Sequence, residues 1–278
     1  MSFQSAIDLH THSTASDGAL SPAALVEKAA HAGIEILALT DHDTLSGLSD
    51  AQTAAIKHNI TLINGIELSA QWNHKTIHIV GLNIKLDRET MINATIHLKQ
   101  LREERAIKIG AQLKKAGIDG AYENAKRIAA NGTITRQHFS TYLVEAGYAK
   151  NQRDVFKRYL VRNKPGYVSA EWPGIEETIA RINEANGVAV IAHPLRYKMT
   201  ATKLRKLISE FKDCGGKAIE VVTGHNLPAE IELASNYAKR FDVAASTGSD
   251  FHNETTPWGQ LGNLSSIPND LTPVWELW

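Results

Sequence analysis

The stretch AIDLHTH, residues 6–12, reads as a short apolar strand that ends in two histidines. Alternate residues of a β-strand point to the same face, so His10 and His12 can bind one ion while the residues between them point away. Asp8 shares that face, and its carboxylate is placed to orient an imidazole from behind. An isolated His-x-His pair is a weak indication of a metal site, so its weight depends on partners elsewhere in the chain.

Six further apolar runs have the length and composition of β-strands. Most of them are continuously apolar, as in parallel strands covered on both faces, and helical patterns such as residues 22–32 separate them. This alternation predicts an α/β fold, either a barrel or a doubly wound sheet. The predicted strands cover residues 6–12, 35–43, 60–69, 76–84, 187–193, 217–223 and 242–249.

The strand pattern stops for about seventy residues in the middle of the chain. From residue 90 onward the pattern is helical, with breaks at Gly117 and at Asn131-Gly132. We interpret this part as a helical subdomain inserted into a barrel. The predicted division is residues 1–89 for the first part of the barrel, 90–164 for the insertion and 165–278 for the second part.

Charge is distributed unevenly, although Lys and Arg together equal Asp and Glu at 30 each. Residues 97–164 contain 15 Lys and Arg against 6 Asp and Glu, a net charge of +9, and six aromatic residues. Basic and aromatic side chains together are typical of surfaces that hold phosphates and bases. A solvated helical face with aromatic residues in its core explains such a charge run as well, so the alternative stays open.

Composition excludes several classes of protein. Hydrophobic residues make up 43% and charged residues 22% of the 278 positions, which is ordinary for a globular chain. The sequence shows neither a secretory signal nor an apolar run long enough to span a membrane, so we expect a cytoplasmic protein without a membrane partner. Cys214 is the single cysteine, which excludes an internal disulfide and any multi-cysteine metal site. No obligatory protein partner is inferred.

Metal-ligating side chains recur where the predicted strands end. We expect each of them at or near the carboxyl end of its strand, where α/β barrels assemble their active sites. Burying such groups singly among Val, Ile and Leu costs several kcal/mol each, so they need partners, which divalent ions would supply. Nitrogen and oxygen donors without sulfur suit Mn²⁺, Zn²⁺ or Fe²⁺. Beyond His10 and His12, the candidates are His42, Glu67, His78, His193, Asp250 and His252.

Several ions held by His and carboxylate groups favour hydrolytic chemistry. Such ions lower the pKa of a bound water and neutralise charge that develops on a phosphoryl or carbonyl group. Phosphate esters and amides are both open as substrates at this point. The sequence contains neither a glycine-rich phosphate loop after a strand nor a Gly-x-Ser-x-Gly motif, so it does not indicate nucleotide cradling by a loop or a serine nucleophile.

The motifs together resemble the polymerase and histidinol phosphatase (PHP) family of metal-dependent phosphoesterases. The resemblance implies a distorted seven-stranded TIM-like β/α barrel with three divalent ions, most often Mn²⁺, with Zn²⁺ or Fe²⁺ as alternatives. The motifs that carry it are Asp8-x-His10-x-His12, Ser13 through Asp17-Gly18, Thr40-Asp41-His42-Asp43, Gly65-Ile66-Glu67, His193-Pro194 and Gly248-Ser249-Asp250-x-His252.

The resemblance also implies which residues share each ion. One ion would take His10, His12, Glu67 and Asp250. A second would share Glu67 and add His78 and His193, and the third would use Asp17, His42 and His252. Some relatives have a histidine in place of Asp17, and this departure points to the nucleotide-type branch rather than to histidinol phosphatases.

Within the family, the insertion and residues 135–139 and 163–168 resemble the branch of 3',5'-nucleoside bisphosphate phosphatases and 5'-to-3' exoribonucleases. The resemblance implies that a metal-bridged hydroxide attacks the phosphorus of 5'-monophosphorylated RNA or of a nucleoside bisphosphate. A basic wall of net charge +9 beside an acidic metal rim agrees with a nucleic acid substrate.

Five further residues are candidates for substrate binding and proton transfer. Arg136, His138 and Lys164 would bind phosphate, although Arg136 alone reads equally well as a surface helix residue. His225 would donate a proton to the leaving oxygen or close the pocket. Asp43 is a second proton-transfer candidate, with capping of its loop as the alternative.

Two other functions remain open from the sequence. One is a phosphatase for small esters such as histidinol phosphate, which would act on free monophosphates with little dependence on salt. The other is a non-catalytic, metal-stabilised module. The second alternative is weaker because every expected ligand position is filled.

Overall fold

The computed structural model describes residues 6–224, 226–255 and 259–278. Within these ranges one seven-stranded sheet has the order β1-β2-β3-β4-β5-β6-β7. The strands are β1 Ile7–Asp8, β2 Ile36–Leu39, β3 Thr61–Trp72, β4 Lys75–Leu82, β5 Val188–Ile191, β6 Ala218–Thr223 and β7 Ala244–Gly248.

The two ends of the sheet meet, which makes it a barrel. The amide of Leu9 donates to the carbonyl of Thr247 at 3.1 Å, and the amide of Asp250 donates to the carbonyl of His10 at 2.9 Å. Strands β1–β2, β2–β3, β5–β6 and β6–β7 pair in parallel. The predicted distorted barrel is therefore confirmed, and the doubly wound alternative is excluded.

Strand β4 departs from the parallel pattern that the sequence suggested. It pairs antiparallel with both β3 and β5. Two residues separate β3 from β4, and both, Asn73 and His74, have positive φ values of 47° and 60°. Parallel neighbours need a crossover connection of a dozen or more residues, whereas a two-residue link forms a hairpin, so β4 is antiparallel to β3. His78 consequently lies towards the start of β4, not near its carboxyl end as predicted. Because β4 is antiparallel to β3, this position is still at the end of the barrel where β3 ends.

Helices cover the outside of the barrel. The first begins as the sequence predicts, with Pro22 in its first turn and the Ser21 hydroxyl accepting a hydrogen bond from the amide of Ala24 at 3.2 Å. Among the described residues, no helix is both long enough and apolar enough to span a membrane. The barrel helices are α1 Pro22–His31, α2 Leu48–His58, α7 Ile175–Glu184, α8 Ala201–Asp213 and α9 Pro228–Phe241.

The interior of the barrel changes character along its axis. Val80, Leu82 and Val190 are buried in an apolar cluster at one end. Glu67 pairs with Val80 across β3 and β4, and paired residues of neighbouring strands share a face, so Glu67 points to the inside of the barrel. His78 lies two residues before Val80 on β4, so it shares the same inner face. The apolar end therefore forms a floor beneath a polar rim.

A helical insertion lies between β4 and α7. It comprises α3 Glu89–Lys115, α4 Ala121–Ala129, α5 Arg136–Glu145 and α6 Gln152–Val155, followed by a π-helical turn, Phe156–Leu160. It has an apolar core of its own, which includes Ile109, Phe139 and Leu143.

Helix α3 contributes to two cores. Its first half packs into the barrel's outer cluster and its second half packs into the core of the insertion. The insertion predicted for residues 90–164 therefore shares its first helix with the barrel. The barrel-facing residues are Met91, Ala94 and Leu98, and those facing the insertion are Ala106, Ile109 and Leu113.

Replacing Gly248 with Ala should destabilise the barrel at its closure. An added Cβ would lie 2.2 Å from the Cβ of His10, so β1 and β7 would have to separate. We expect a loss of about 1–3 kcal/mol in the free energy of unfolding, measured by urea denaturation. Gly174→Ala is the control, because nothing lies within 4 Å of the added Cβ. Equal losses in the two variants would show that the close approach to His10 is not what destabilises the barrel.

Candidate metal centre

The carboxylate of Glu67 lies at the centre of the polar rim and is only 1% exposed. Its Oε1 atom lies 2.9 Å from Nδ1 of His78 and 3.3 Å from Nε2 of His193. Its Oε2 atom lies 3.3 Å from Nε2 of His12 and 3.4 Å from Nε2 of His10. One carboxylate from β3 thus joins histidines from three separate segments of the chain.

The spacing around His10 and His12 is that of atoms sharing an ion. Their Nε2 atoms are 3.1 Å apart, and Oδ1 of Asp250 lies 3.5 Å and 3.4 Å from them. Ligand atoms about 2.0–2.2 Å from a tetrahedral ion lie about 3.3–3.6 Å from one another. These three residues and Glu67 match that spacing closely.

Another group of side chains adjoins the first. Oδ1 of Asp17 lies 3.4 Å from Nε2 of His252, and Oδ2 lies 3.9 Å from Nε2 of His42. The rings of His12 and His252 stack with centroids 4.1 Å apart, which joins this group to the first. All nine side chains predicted as ligands therefore lie together at one rim.

Buried oxygen atoms of this cluster lack ordinary partners. Oε2 of Glu67 and Oδ1 of Asp17 have no hydrogen bond of normal geometry within the described part of the chain. This holds although Nδ1 of His42 lies 2.9 Å from Oε2 of Glu67. Buried carboxylate oxygens are usually saturated. The donor set and the unsatisfied oxygens fit divalent ions.

The charges of the cluster favour bound cations. Burial would raise the pKa of Glu67, but His42, His78 and His10 hold it well below its ordinary value. Burial would lower the pKa of His12, but Asp250 and Glu67 raise it to about 10. Cations at this rim, whether protons or metal ions, are therefore strongly stabilised by the carboxylates.

Asp41 fixes the loop that carries Asp17. Its carboxylate accepts hydrogen bonds from the amide and hydroxyl of Ser13 at 2.8 Å and 2.7 Å and from the hydroxyl of Ser16 at 2.6 Å. The next turn needs glycine, because a Cβ on Gly18 would lie 2.2 Å from the carbonyl oxygen of His12. The motif residues between the ligands thus shape the loop and leave Asp17 facing the cluster.

Two of the clustered residues have strained backbones. His193 and Asp250 have φ values of 32° and 55°, in a region that costs a non-glycine residue about 1–3 kcal/mol. Arg196 forms an ion pair with the second oxygen of Asp250. Such strain persists only where surrounding contacts enforce it, which is typical of functional sites.

Glu220, which the sequence analysis missed, orients two members of the cluster. Its Oε1 atom lies 2.6 Å from Nδ1 of His10, and its Oε2 atom accepts a hydrogen bond from the amide of His193 at 2.6 Å. A glutamate within the apolar run of residues 217–223 was the signal that could have revealed it. A carboxylate in this position fixes the imidazole that it contacts.

The role predicted for Asp8 is wrong. Its Oδ1 atom accepts hydrogen bonds from the amides of His10 and Ser249 at 3.3 Å and 2.9 Å, while the imidazole of His10 turns to Glu220. Burial raises the pKa of Asp8 to about 6. Asp8 therefore holds the backbone where β1 meets the end of β7.

A basic pocket adjoins the cluster and is called here the arginine pocket. Its lining combines cluster residues with residues of β3 and β4, of the insertion and of the segment that connects the insertion to α7. Through Thr76, Arg105 and Arg136 it continues into an outer recess that Lys75 and Arg162 also line. The residues of the arginine pocket are Asp17, His42, Ser69, Thr76, His78, Arg102, Arg105, Thr135, Arg136, Gln137, Phe156 and Trp172.

Comparison with known proteins identifies the family of this chain. A sequence profile of the PHP domain matches residues 8–223. The chain belongs to the PHP family.

Two relatives are similar to this chain along almost their whole length. A 5'-3' exoribonuclease of Haemophilus influenzae is 45% identical over 269 residues, which cover 97% of each chain. A 3',5'-nucleoside bisphosphate phosphatase of Chromobacterium violaceum is 40% identical over 271 residues, covering 97% of this chain and 95% of that protein.

A solved structure from Chromobacterium violaceum, described as an amidohydrolase with bound sulfate and no metal, matches with a TM-score of 0.92 at 40% identity, over 98% of this chain and 95% of that one.

The carboxylate of Asp43 is occupied by Arg102 and by the backbone of β3. Its Oδ2 atom accepts a hydrogen bond from Nε of Arg102 at 2.6 Å, and its Oδ1 atom accepts one from the amide of Ser69 at 2.6 Å. The residue is fully buried and has a φ of 55°. With both oxygens occupied and an arginine as counter-ion, the structure favours loop capping over proton transfer.

The three predicted phosphate-binding residues lie in different surroundings. Arg136 lines the arginine pocket. His138 is buried, and its Nδ1 atom accepts a hydrogen bond from the amide of Thr135 in the cap of α5. Lys164 is exposed and lines neither part of the pocket. These positions do not support phosphate binding by His138 or Lys164, and His225 lies outside the described residues.

Adding Mn²⁺ to chelator-treated protein should raise its melting temperature by about 5 °C or more, because an ion that binds the folded state stabilises it. Binding should release protons, since His12 with a pKa of about 10 is protonated at pH 7.5 and must lose its proton to become a ligand. Affinity should therefore rise with pH. Calorimetry in buffers of different ionisation enthalpy measures the release.

Glu67→Gln should lose most of the stabilisation by Mn²⁺, because Glu67 contacts two sets of histidines. The matched control is Glu184→Gln, at an exposed position on α7. An undiminished shift in Glu67→Gln would show that the ion binds elsewhere.

Proposed function

We propose that this PHP enzyme hydrolyses phosphate esters at the 5' ends of RNA and in nucleoside 3',5'-bisphosphates. It would act as a 5'-to-3' exoribonuclease on 5'-monophosphorylated RNA and as a bisphosphate phosphatase. The observation that carries the proposal is the arginine pocket, which lies directly beside the nine clustered side chains, seven of which form groups able to hold a metal ion. A cytoplasmic location is part of the proposal.

The cluster would hold three divalent ions, with Mn²⁺ preferred. Distances support one group formed by His10, His12, Glu67 and Asp250, a second by Glu67, His78 and His193, and a third by Asp17, His42 and His252. When bound, the ions would activate water for attack on phosphorus and neutralise charge on the phosphoryl oxygens.

The remaining residues orient the reacting groups. Glu220 keeps the imidazole of His10 turned towards Glu67, and Asp41 keeps the loop of Asp17 in place. Arg136 offers a planar fork of donors, which suits a phosphate. Asp43 would stabilise the rim through its pair with Arg102 rather than transfer a proton.

The two relatives with named activities support one substrate class for both reactions. One is named for RNA and the other for a nucleoside bisphosphate, and each matches this chain almost end to end. A bisphosphate is the smallest molecule that carries a 5'-phosphate and a 3'-phosphate on one ribose, as an RNA 5' end does. The same site can therefore accept both.

A substrate panel tests the proposal. With Mn²⁺, 5'-monophosphorylated RNA should release mononucleotides and adenosine 3',5'-bisphosphate should release phosphate. Binding of RNA should weaken steeply as salt rises, because basic groups displace counterions from the backbone. Equal cleavage of triphosphorylated or 5'-hydroxyl RNA would contradict recognition of the 5'-phosphate, and a preference for histidinol phosphate would favour a small-ester phosphatase.

Asp250→Ala should lower kcat by at least about a hundredfold, the scale expected when one group that stabilises the transition state is lost. His10→Ala should behave in the same way. Asp270→Ala is the matched control, since Asp270 forms an exposed pair with Lys239. Circular dichroism would verify that each variant folds, and full activity in a folded Asp250→Ala would remove that residue from the site.

A further inference from the structure

The loop of residues 13–18 carries Asp17 and is called here the Asp17 loop. From the barrel, the carboxylate of Asp41 accepts hydrogen bonds from its two serines. From the insertion, the amide of Thr133 donates to the carbonyl of Ala15 at 2.8 Å. The connection between α4 and α5 therefore holds the loop on the side that the barrel leaves free.

The fit between this connection and the Asp17 loop is close. A Cβ on Gly132 would lie 2.4 Å from the carbonyl oxygen of Thr14, so the position needs glycine. Two residues earlier, Ala130 has a φ of 48° and a ψ of −114°, a conformation that residues with a Cβ rarely adopt. Such a backbone persists only where its surroundings enforce it. The connection is therefore fixed in one conformation against the loop.

His138 adds a side-chain contact to the same loop. It is 7% exposed, and its Nδ1 atom accepts a hydrogen bond from the amide of Thr135 at 3.0 Å. Its imidazole also forms a hydrogen bond with the backbone of Ser16. Because Nδ1 is an acceptor, Nε2 carries the proton and donates to the carbonyl of Ser16. Burial lowers the pKa of His138, which favours the neutral ring that this arrangement needs.

Asp17 depends on such support more than the other candidate ligands do. Strand β1 ends at Asp8 and Asp17 follows nine residues later, whereas the other eight lie within a strand or at most four residues after one. Its carboxylate lies 3.4 Å and 3.9 Å from Nε2 of His252 and of His42, longer than the roughly 2.7–2.9 Å of a charged hydrogen bond. The backbone of its loop therefore sets its position.

We propose that His138 is a positioning residue for the ion group that contains Asp17. Through its hydrogen bond to the loop backbone, the insertion keeps the carboxylate of Asp17 directed at His42 and His252. Binding of a divalent ion by this group then depends on the insertion, whereas binding by the two groups that share Glu67 does not. This inference rests on the proposed function, from which it takes the three ion groups.

Titrating metal-free protein with Mn²⁺ tests the proposal, with the free ion measured by electron paramagnetic resonance. The wild type should bind three ions. His138→Ala should bind two of them with affinities within about twofold of the wild type and the third about 10- to 100-fold more weakly, the usual effect of losing a residue that orients a metal ligand. Its activity on adenosine 3',5'-bisphosphate should recover as Mn²⁺ is raised, which a damaged fold would not show.

Further variants separate positioning from folding. His138→Gln should recover part of the affinity, because its amide can donate to the carbonyl of Ser16. Gly132→Ala should weaken the same ion, since the added Cβ displaces the loop through an independent contact. His97→Ala, at an exposed position of α3, is the matched control and should bind all three ions as the wild type does. Circular dichroism and urea unfolding show which variants fold, and Gly132→Ala and His138→Gln decide the question if His138→Ala does not.

Each contrary result has a distinct meaning. A third ion bound as tightly by folded His138→Ala as by the wild type would overturn the inference. Equal weakening of all three ions would also overturn it, because His138 would then act through the fold as a whole. A wild type that binds fewer than three ions would instead refute the three-ion centre of the proposed function, and the inference with it.

Discussion

The polar rim of the barrel depends on the contacts between the buried carboxylate of Glu67 and the histidines around it. It is surrounded by the imidazoles of His10, His12, His78 and His193, which reach it from strands on both sides of β3. A lone carboxylate at this depth would cost several kcal/mol, so the surrounding cations and the closure of the barrel stabilise each other. The strained backbones of His193 and Asp250 persist because contacts within this cluster hold them in place.

A second buried pair connects the candidate metal cluster with the arginine pocket. Arg102, from the insertion helix α3, contacts Asp43 beside the end of β2 and the hydroxyl of Ser69 on β3 at 3.0 Å. Asp43 directly follows His42 along the chain, and Ser69 lies two residues after Glu67. Removing either partner would leave an uncompensated buried charge, so the wall of the arginine pocket and the metal rim are held in one arrangement.

Much of the rim could be predicted from sequence because imidazole and carboxylate groups at the ends of apolar strands are costly to bury without partners. The barrel followed from the alternation of strands and helices. Strand β4 was assigned the wrong direction because the predicted gap before it, residues 70–75, was not recognised as too short for a crossover helix. Glu220 was missed although it interrupts an apolar run. The environments of Arg102 and His138 could not be foreseen, because their partners depend on tertiary packing across the insertion.

Helix α3 crosses from the barrel core to the core of the insertion as one continuous element of 27 residues. Residues 90–164 are consequently not a detachable module, since the half of the helix around Met91 and Leu98 completes the barrel. Transplanting this segment onto another PHP scaffold would require recipient side chains that accept that half and a partner for Arg102. Diversification of specificity in such enzymes is therefore expected to proceed by exchanging pocket side chains in place.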